Sequence, residues 1–356
     1  MNRRALSFII PVMAVIIALV VASVIIILIG EGSFFERLGF LGRAYYELIR
    51  GAFGSSGAWI NTFIRMTPLI LTGLAVGFGF RAGVFNIGAE GQMAMGALAA
   101  TVFAVNASFL PVFLAIPLSM LVGMLTGAVW AGIAGFLKAK TGAHEVITTI
   151  MLNWIAYNIT NWAVTAPFSS GVGVPKSPEI ATSTKLPALA TAQANVLSVG
   201  LFVAISAALV IYVLLEKTSR GYEVKAVGFN PYSAEYGGIS VSKNIILTMA
   251  ISGALAGLAG TLESIGLYHR FYGTLSAGKG FDGISIALIG QNHPFGIIFA
   301  SLLISGLRTG SNQMQFVGVP KHIVTIIQAV IIFLVAADRI VRTILRIRTS
   351  KGGSPV

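Results

Sequence analysis

The sequence from Phe80 to Ala100 reads FRAGVFNIGAEGQMAMGALAA, a glycine-rich stretch between two long apolar segments. It places Arg81, Asn86, Glu90 and Gln92 within a chain that is otherwise strongly hydrophobic. Non-helical backbone at membrane depth is tolerated only where protein or a water-filled cavity satisfies its polar groups. Transporters use such breaks near the membrane midplane to meet polar substrates. The stretch therefore predicts a discontinuous membrane helix.

The composition supports a membrane location. The 356 residues are 56% hydrophobic and only 10% charged, whereas soluble domains have about 25% charged residues. We predict an all-α, polytopic membrane protein with about 8–10 transmembrane helices, including broken or re-entrant helices. The net charge of +12 is typical of cytoplasmic loops that resist translocation. No basic patch is interleaved with aromatics, so nucleic acid is not an expected partner.

The apolar segments predict a single membrane domain over 1–356. The first span, 5–29, is too long for the apolar core of a cleaved signal peptide. The segment 31–56 mixes charges with Phe and Tyr, as expected of a helix lying at the membrane interface. The pieces 281–290 and 295–307 each fall short of full span length, which predicts a re-entrant hairpin or two short helices. The other expected spans are 59–80, 84–105, 110–137, 146–166, 196–215, 245–267 and 322–337.

Basic residues orient these spans, because cytoplasmic loops carry an excess of Lys and Arg. The resulting topology puts both termini in the cytoplasm. It places 167–195 in an external loop, 216–243 in a cytoplasmic segment and 338–356 in a basic cytoplasmic tail.

Motifs typical of enzymes are incomplete. GTLSAGKG, residues 273–280, nearly matches a phosphate-binding loop but has Gly280 where a hydroxyl should hold magnesium. His144-Glu145 lacks the second histidine of a zinc-binding helix, and the four histidines are scattered. The chain has no cysteine, which excludes thiolate catalysis and disulfides. We expect no catalytic residue, no metal and no cofactor bound by this chain.

The segment 216–243 contains a short element with clear start and stop signals. Asn230-Pro231 predicts a helix N-cap followed by proline at the first helical position, and Gly237-Gly238 ends the helix. A plain solvated loop needs neither a cap nor the aromatic residues found here, so we interpret the segment as a docking surface. The chain has no nucleotide-binding loop and few acidic residues in its spans, which favours a separate motor over coupling to ions.

At this point three motifs carry a family resemblance. AVGFNPYSAEYGGI (226–239), FRAGVFNIGAEGQ (80–92) and GKGFDGISIALIGQNHPFG (278–296) resemble ABC-importer permeases of the ribose, nucleoside and branched-chain amino acid group. The second motif is similar to the nucleoside-type branch. The resemblance extends over essentially the whole chain. The residues that it assigns to ATPase coupling are Gly228, Asn230, Pro231, Tyr232, Ala234, Glu235, Tyr236 and Gly238.

The resemblance implies an assembly in the bacterial cytoplasmic membrane. Cytoplasmic ABC ATPase subunits would use ATP, a second and paralogous permease would complete the pathway, and an extracellular or periplasmic solute-binding lipoprotein would deliver substrate. The expected substrate is a nucleoside. The alternatives are ribose or another simple sugar and, from a different class, an ion-coupled secondary transporter.

Polar residues near the broken segments are the candidates for the substrate pathway. Amide side chains offer donors and acceptors that suit hydroxyls and a base edge, but they also serve as glue between helices. Glu90 has two further readings: it pairs with a cation such as Arg65 or Arg81, or it caps a helix start. The candidates are Asn86, Glu90, Gln92, Asn153, Trp154, Asn158, Asp282, Gln291 and Asn292.

Trp154 and Asn158 share one face of the fifth span at i, i+4 spacing. A base can stack on a tryptophan ring, but such a face can equally serve for packing. Both interpretations stay open from the sequence.

Overall fold

A computed structural model describes residues 3–336, with gaps at 172, 193–194, 274 and 321. The predicted basic tail, 338–356, lies outside the described residues. The helices are α1 Arg3–Ile29, α2 Phe34–Phe53, α3 Ser56–Arg81, α4 Ala89–Asn106, α5 Val112–Thr141, α6 Glu145–Thr165, α7 Gly200–Lys217, α8 Ser219–Phe229, α9 Pro231–Tyr236, α10 Val241–Glu263, α11 Lys279–Ile289, α12 Pro294–Phe316 and α13 His322–Ala336. The strands are β1 Ala188–Ala192 and β2 Asn195–Ser198.

The all-α, polytopic class is confirmed. Within the described residues, six helices are long and apolar enough to cross a membrane. They are α1, α3, α5, α7, α10 and α12. The helices α4 and α6 have 18 and 21 residues but carry more polar groups. The shorter α13 is also apolar.

Two expected boundaries are wrong. The span predicted at 196–215 begins only at Gly200, because 195–198 pairs with β1 in an antiparallel hairpin. The second apolar piece of the 281–307 segment is not short, since α12 runs for 23 residues from Pro294. The first piece is a short helix, α11, of 11 residues.

The chain divides into two compact units, of which the larger covers 52–309. Its interior is built by α3, α4, α5, α10 and α11, and glycines let the backbones approach. A methyl group on Gly253 of α10 would collide with the carbonyl oxygen of Gly127 on α5. One on Gly96 of α4 would collide with Gly257 of α10. Small residues at such crossings are typical of membrane helix packing.

The smaller unit covers 1–51 and 310–356. In it, Ala14 of α1 packs against Leu334 of α13. The hydroxyl of Tyr45 on α2 donates to the carbonyl of Leu19 on α1 at 2.6 Å. Phe34 and Phe35 at the start of α2 are exposed, which suits a helix at an interface. Its position at the membrane surface stays a prediction.

Candidate functional site

The opening stretch forms the predicted break. α3 ends at Arg81 and α4 begins at Ala89, so 82–88 is non-helical backbone between two membrane helices. Gly83 adopts a φ of +69°, a conformation that favours glycine. The amide of Val84 donates back to the carbonyl of Gly79 at 3.0 Å, which closes the turn.

Asn86 and Gln92 form a buried amide pair inside this break. Asn86 Nδ2 donates to Gln92 Oε1 at 2.8 Å, and Gln92 Nε2 donates to Asn86 Oδ1 at 2.9 Å. Asn86 also donates to Ser252 Oγ of α10 and accepts from the amide of Gly88. Both side chains are fully buried. This geometry matches the interpretation as interhelical glue, since buried amides that pair with each other are satisfied by the protein itself.

Asn153 of α6 holds the start of α4 from the side. Its Oδ1 accepts from the amide of Gly91 at 2.9 Å, and its Nδ2 donates to the carbonyl of Ile87 at 3.0 Å. The first amides of a helix have no partner within that helix. Asn153 therefore acts as a cap supplied by a neighbouring element.

Glu90 caps a different helix. Its Oε1 accepts from the amide of Gly278 at 2.8 Å and from the hydroxyl of Tyr157 at 2.9 Å. Its Oε2 accepts from the amide of Gly280 at 2.7 Å, at the start of α11. A carboxylate at a helix N-terminus satisfies free amides and complements the helix dipole. Of the two readings from the sequence, the helix cap matches these contacts.

The two broken helices meet at this carboxylate. A methyl group on Gly280 would collide with the backbone nitrogen of Glu90. The N-terminal ends of α4 and α11 therefore touch inside the bundle. Each end is capped by a side chain from another element, Asn153 for α4 and Glu90 for α11.

Gln291 and Asn292 form the turn between α11 and α12. Both adopt left-handed backbone conformations, with φ of 53° and 54°. Arg81 Nε, at the end of α3, donates to the carbonyl of Asn292 at 3.0 Å. The turn therefore lies beside the predicted cytoplasmic end of α3. Asp282, in the first turn of α11, forms an ion pair with Arg308 of α12.

Trp154 and Asn158 point away from this cluster. Trp154 is 63% exposed, Asn158 is also exposed, and Asn158 Nδ2 donates to the carbonyl of Trp154. Asn153, on the opposite face of α6, is buried. The structure thus brings Asn86, Glu90, Gln92 and Asn153 together and leaves Trp154 and Asn158 on the outside of the chain.

The segment 216–243, which we predict to be cytoplasmic, has the predicted cap. Asn230 Oδ1 accepts from the amides of Tyr232 and Ser233 at 3.0 and 3.2 Å, and Pro231 is the first residue of α9. Gly238, after the helix, has a φ of +81°. Ala234 is buried, whereas Phe229, Tyr232 and Tyr236 are 91%, 84% and 97% exposed. Glu235 is exposed as well.

A groove of about 490 Å³ lies between α8 and α9, lined by residues of both helices. Exposed aromatic residues beside a groove mark an interaction surface, because an aqueous surface does not favour such a cluster.

The α8 helix is fitted closely against the break. A methyl group on Gly228 would collide with the carbonyl oxygen of Arg81, and the Cα of Gly228 lies 3.3 Å from the position of a methyl group on Gly83. A second contact fixes the same loop, since Glu145 Oε1 accepts from the amide of Phe85 and pairs with Lys138 at 2.6 Å. The end of α8 therefore packs directly against the broken part of the membrane domain.

A carboxylate joins α8 to α10. Glu223 Oε2 accepts from Asn244 Nδ2 at 3.2 Å and from Arg220 Nη1 at 3.0 Å. The hydrogen bond from Asn244, aided by Arg220, holds the pKa of Glu223 below its ordinary value. No group of three or more potential metal ligands occurs among the described residues.

Sequence reasoning gave no site role to several charged residues of the larger unit. Arg65, Glu263, Lys279 and Arg308 lie on or beside membrane helices, and Lys279 Nζ pairs with Glu263 Oε2 at 2.7 Å. The signal was available, because ionisable residues within spans are rare and functional. Their proximity depends on four separate helices and could not be read from the sequence.

Broken helices whose ends meet inside a bundle of membrane helices are typical of membrane transport proteins. Residues 59–336 match the protein family described as "branched-chain amino acid transport system / permease component", and the chain belongs to this family. The resemblance found in the sequence is thereby confirmed. No solved structure matches the chain significantly.

The chain is similar to named permeases over nearly its full length. It is 36% identical to the guanosine ABC transporter permease protein NupP of Bacillus subtilis, covering 99% of this chain and 100% of the relative. It is 35% identical to the nucleoside ABC transporter permease protein NupB of Lactococcus lactis, covering 97% and 95%. It is 35% identical to the glucose ABC transporter permease protein TsgB13 of Haloferax volcanii, covering 92% and 87%. A shorter match is the guanosine ABC transporter permease protein NupQ of B. subtilis, 31% identical over 68% of this chain and 77% of the relative.

Proposed function

We propose that the chain is the permease subunit of an ATP-driven ABC importer that carries nucleosides across a bacterial cytoplasmic membrane. The observation that carries the proposal is the capped α9 helix and the end of α8 before it. Together they present Phe229, Tyr232 and Tyr236 almost fully exposed beside a groove. Binding of an ATPase on another chain explains why α9, a short helix, has a well-formed cap and exposed aromatic residues.

In this proposal a separate cytoplasmic ATPase binds the α8–α9 segment and uses the ATP. Movement of α8 acts on the membrane domain through Gly228, which is packed against the backbone of Arg81 and Gly83. The break at 82–88 and the start of α4 then move together, because Asn153 and the Asn86–Gln92 pair tie them to α6 and α10. Rigid elements that move as bodies about fixed turns give alternating access.

The substrate assignment to nucleosides is supported by the relatives named for guanosine and nucleosides. The alternative is a simple sugar, supported by the relative named for glucose at nearly the same identity. Ribose shares its hydroxyl pattern with nucleosides but has no base. Uptake of ribose therefore distinguishes a sugar permease from a nucleoside permease.

The proposed assembly contains a second, paralogous permease, supported by NupP and NupQ of B. subtilis, which are both named guanosine permeases and both match this chain. An extracellular solute-binding lipoprotein delivers the substrate to the external loop. The proposed topology keeps both termini in the cytoplasm.

The test is uptake of labelled guanosine, uridine, ribose and glucose by cells with and without this gene. We expect loss of the gene to abolish nucleoside uptake, inactivation of the partner ATPase to have the same effect, and collapse of ion gradients at constant ATP to leave uptake intact. Lost ribose or glucose uptake with unchanged nucleoside uptake would favour the sugar alternative. Uptake that depends on ion gradients and not on the ATPase would indicate a secondary transporter.

A further inference from the structure

Two arginines lie deep within membrane helices of the larger unit. Arg65 is nine residues into α3, about 14 Å from its start, and Arg308 is fourteen residues into α12, about 21 Å from its start. Arg65 is exposed on the surface of the chain, and the Arg308 side chain is 33% exposed. A charged group exposed at membrane depth is expensive in lipid, so it faces a protein partner or a water-filled cavity.

Two ion pairs lie beside Arg65. Arg308 pairs with Asp282 of α11, and Lys279 Nζ pairs with Glu263 Oε2 at 2.7 Å. Lys279 Nζ also lies 5.9 Å from the centre of the Tyr268 ring. Tyr268 ends a π-helical turn that extends α10 over 264–268, and such turns are frequent at functional sites.

Arg65 differs from the other cations of this face. It lies within electrostatic reach of Glu263, Tyr268 and Arg308, yet it makes no hydrogen bond or ion pair with any residue that the structure describes. The carboxylates of Glu263 and Asp282 are already engaged by Lys279 and Arg308. A guanidinium with five donors is thus presented at membrane depth within reach of the Tyr268 ring, which is 40% exposed.

We propose that Arg65 is a specificity-determining residue of the translocation pathway, where its guanidinium donates hydrogen bonds to the acceptor atoms of a purine base. The inference rests on the proposed function. Arginine reads O6 and N7 of guanine with two parallel hydrogen bonds. The neighbouring Tyr268 ring supplies a face on which a base stacks, and the ion-paired carboxylates accept from sugar hydroxyls. A sugar without a base offers Arg65 no such pair of acceptors.

The test uses the complete transporter in proteoliposomes, with Arg65→Gln and Arg65→Lys. We expect Arg65→Gln to raise the KM for guanosine about tenfold to a hundredfold, as expected for loss of a bidentate contact. The KM for uridine changes less, since a pyrimidine lacks the O6 and N7 pair. Arg65→Lys keeps the charge but loses the fork, so it raises the guanosine KM as well.

A structural readout separates this role from packing. Because Arg65 has no described partner, Arg65→Gln leaves the thermal unfolding temperature of the purified chain unchanged or higher. The matched control is Arg43→Gln, an exposed arginine on α2, which leaves guanosine and uridine KM unchanged. If Arg65→Gln instead prevents co-purification of the second permease, Arg65 is an interface residue and the proposal is wrong.

The outcome is distinct from a failure of the proposed function. If the wild-type transporter takes up no nucleoside at all, the proposed function is wrong. If the wild type takes up guanosine and Arg65→Gln leaves its KM and its preference over uridine unchanged, the role of Arg65 is wrong while the function stands.

Discussion

The carboxylate of Glu90 joins the two broken helices of the membrane domain. It accepts from two backbone amides at the start of α11 and from the hydroxyl of Tyr157, and it is fully buried. Each buried donor left without a partner costs about 1–3 kcal/mol. Glu90 therefore stabilises the contact between the two broken helices.

We expect Glu90→Ala to lower the thermal unfolding temperature of the detergent-purified chain strongly, because three donors lose their acceptor. Glu90→Gln is expected to lower it less, since the amide oxygen still accepts but the amide nitrogen faces a donor. The matched control is Glu31→Gln, at an exposed carboxylate, with no change expected. A wild-type unfolding temperature for Glu90→Ala would show that the cap contributes nothing.

The sequence predicted that four polar residues lie near a break but did not predict their partners. Asn86, Glu90, Gln92 and Asn153 were predicted as polar groups near a break, and they do cluster there. That they bind one another and the backbone depends on helices up to 190 positions apart in sequence, which no local pattern encodes. Their assignment to substrate binding stays a prediction.

Among the elements, α9 and the residues that flank it were the most predictable. A cap, a proline and two glycines are local signals, and α9 begins at Pro231 as expected. The start of α7 was misplaced because Val196 and Leu197 are apolar but lie in β2, which pairs with β1. The length of α12 was underestimated because Arg308 and other polar residues interrupt its hydropathy, although Arg308 forms an ion pair with Asp282 within the fold.

The contact between α8 and the break gives a prediction for transmission. We expect Gly228→Ala to reduce uptake at least tenfold while the ATPase still binds, because the added methyl group collides with the carbonyl of Arg81 and moves α8 off the break. The control is Gly237→Ala, where the added group lies 3.4 Å from the nearest atom. Binding is measured by co-purification and transport by nucleoside uptake. Normal uptake by Gly228→Ala would rule out this contact as the mechanical link.

The tie between α8 and α10 predicts a dependence on pH. Hydrogen bonding from Asn244 lowers the pKa of Glu223 below its ordinary value of 4.5. A carboxyl with a lowered folded-state pKa contributes stability above its unfolded pKa, and that contribution disappears as the pH falls through the folded pKa.

We therefore expect Glu223→Gln to unfold at a lower temperature than the wild type at neutral pH, with the difference vanishing as the pH falls below 4.5. The difference in unfolding temperature is measured by thermal unfolding of both proteins in detergent, from neutral pH to below pH 4.5. The exposed Glu235→Gln serves as the control variant. A difference that persists unchanged at low pH would show that the ionised carboxylate is not the stabilising form.

For the whole molecule, the composition alone predicted the membrane class. A chain with few charged residues and long apolar runs keeps those runs out of water by placing them in a membrane. The packing of α4 and α11 end to end was not predictable, since the segments 82–88 and 275–278 that precede them are irregular and the sequence leaves their direction open. The sidedness of the chain comes only from the distribution of Lys and Arg, and it decides where a motor can bind.

Sidedness is measurable because the chain has no cysteine. The variant Tyr232→Cys introduces one cysteine at a position where the native side chain is 84% exposed. We expect this cysteine to resist a membrane-impermeant maleimide in intact cells and to react with it in inverted vesicles. Val174→Cys, in the predicted external loop and 67% exposed in the native chain, is the matched control with the opposite pattern. The physical reason is that the basic segment around α8 and α9 stays on the cytoplasmic side. Labelling of Tyr232→Cys from outside would place the aromatic surface beyond the reach of any cytoplasmic ATPase, and the proposed coupling would then be wrong.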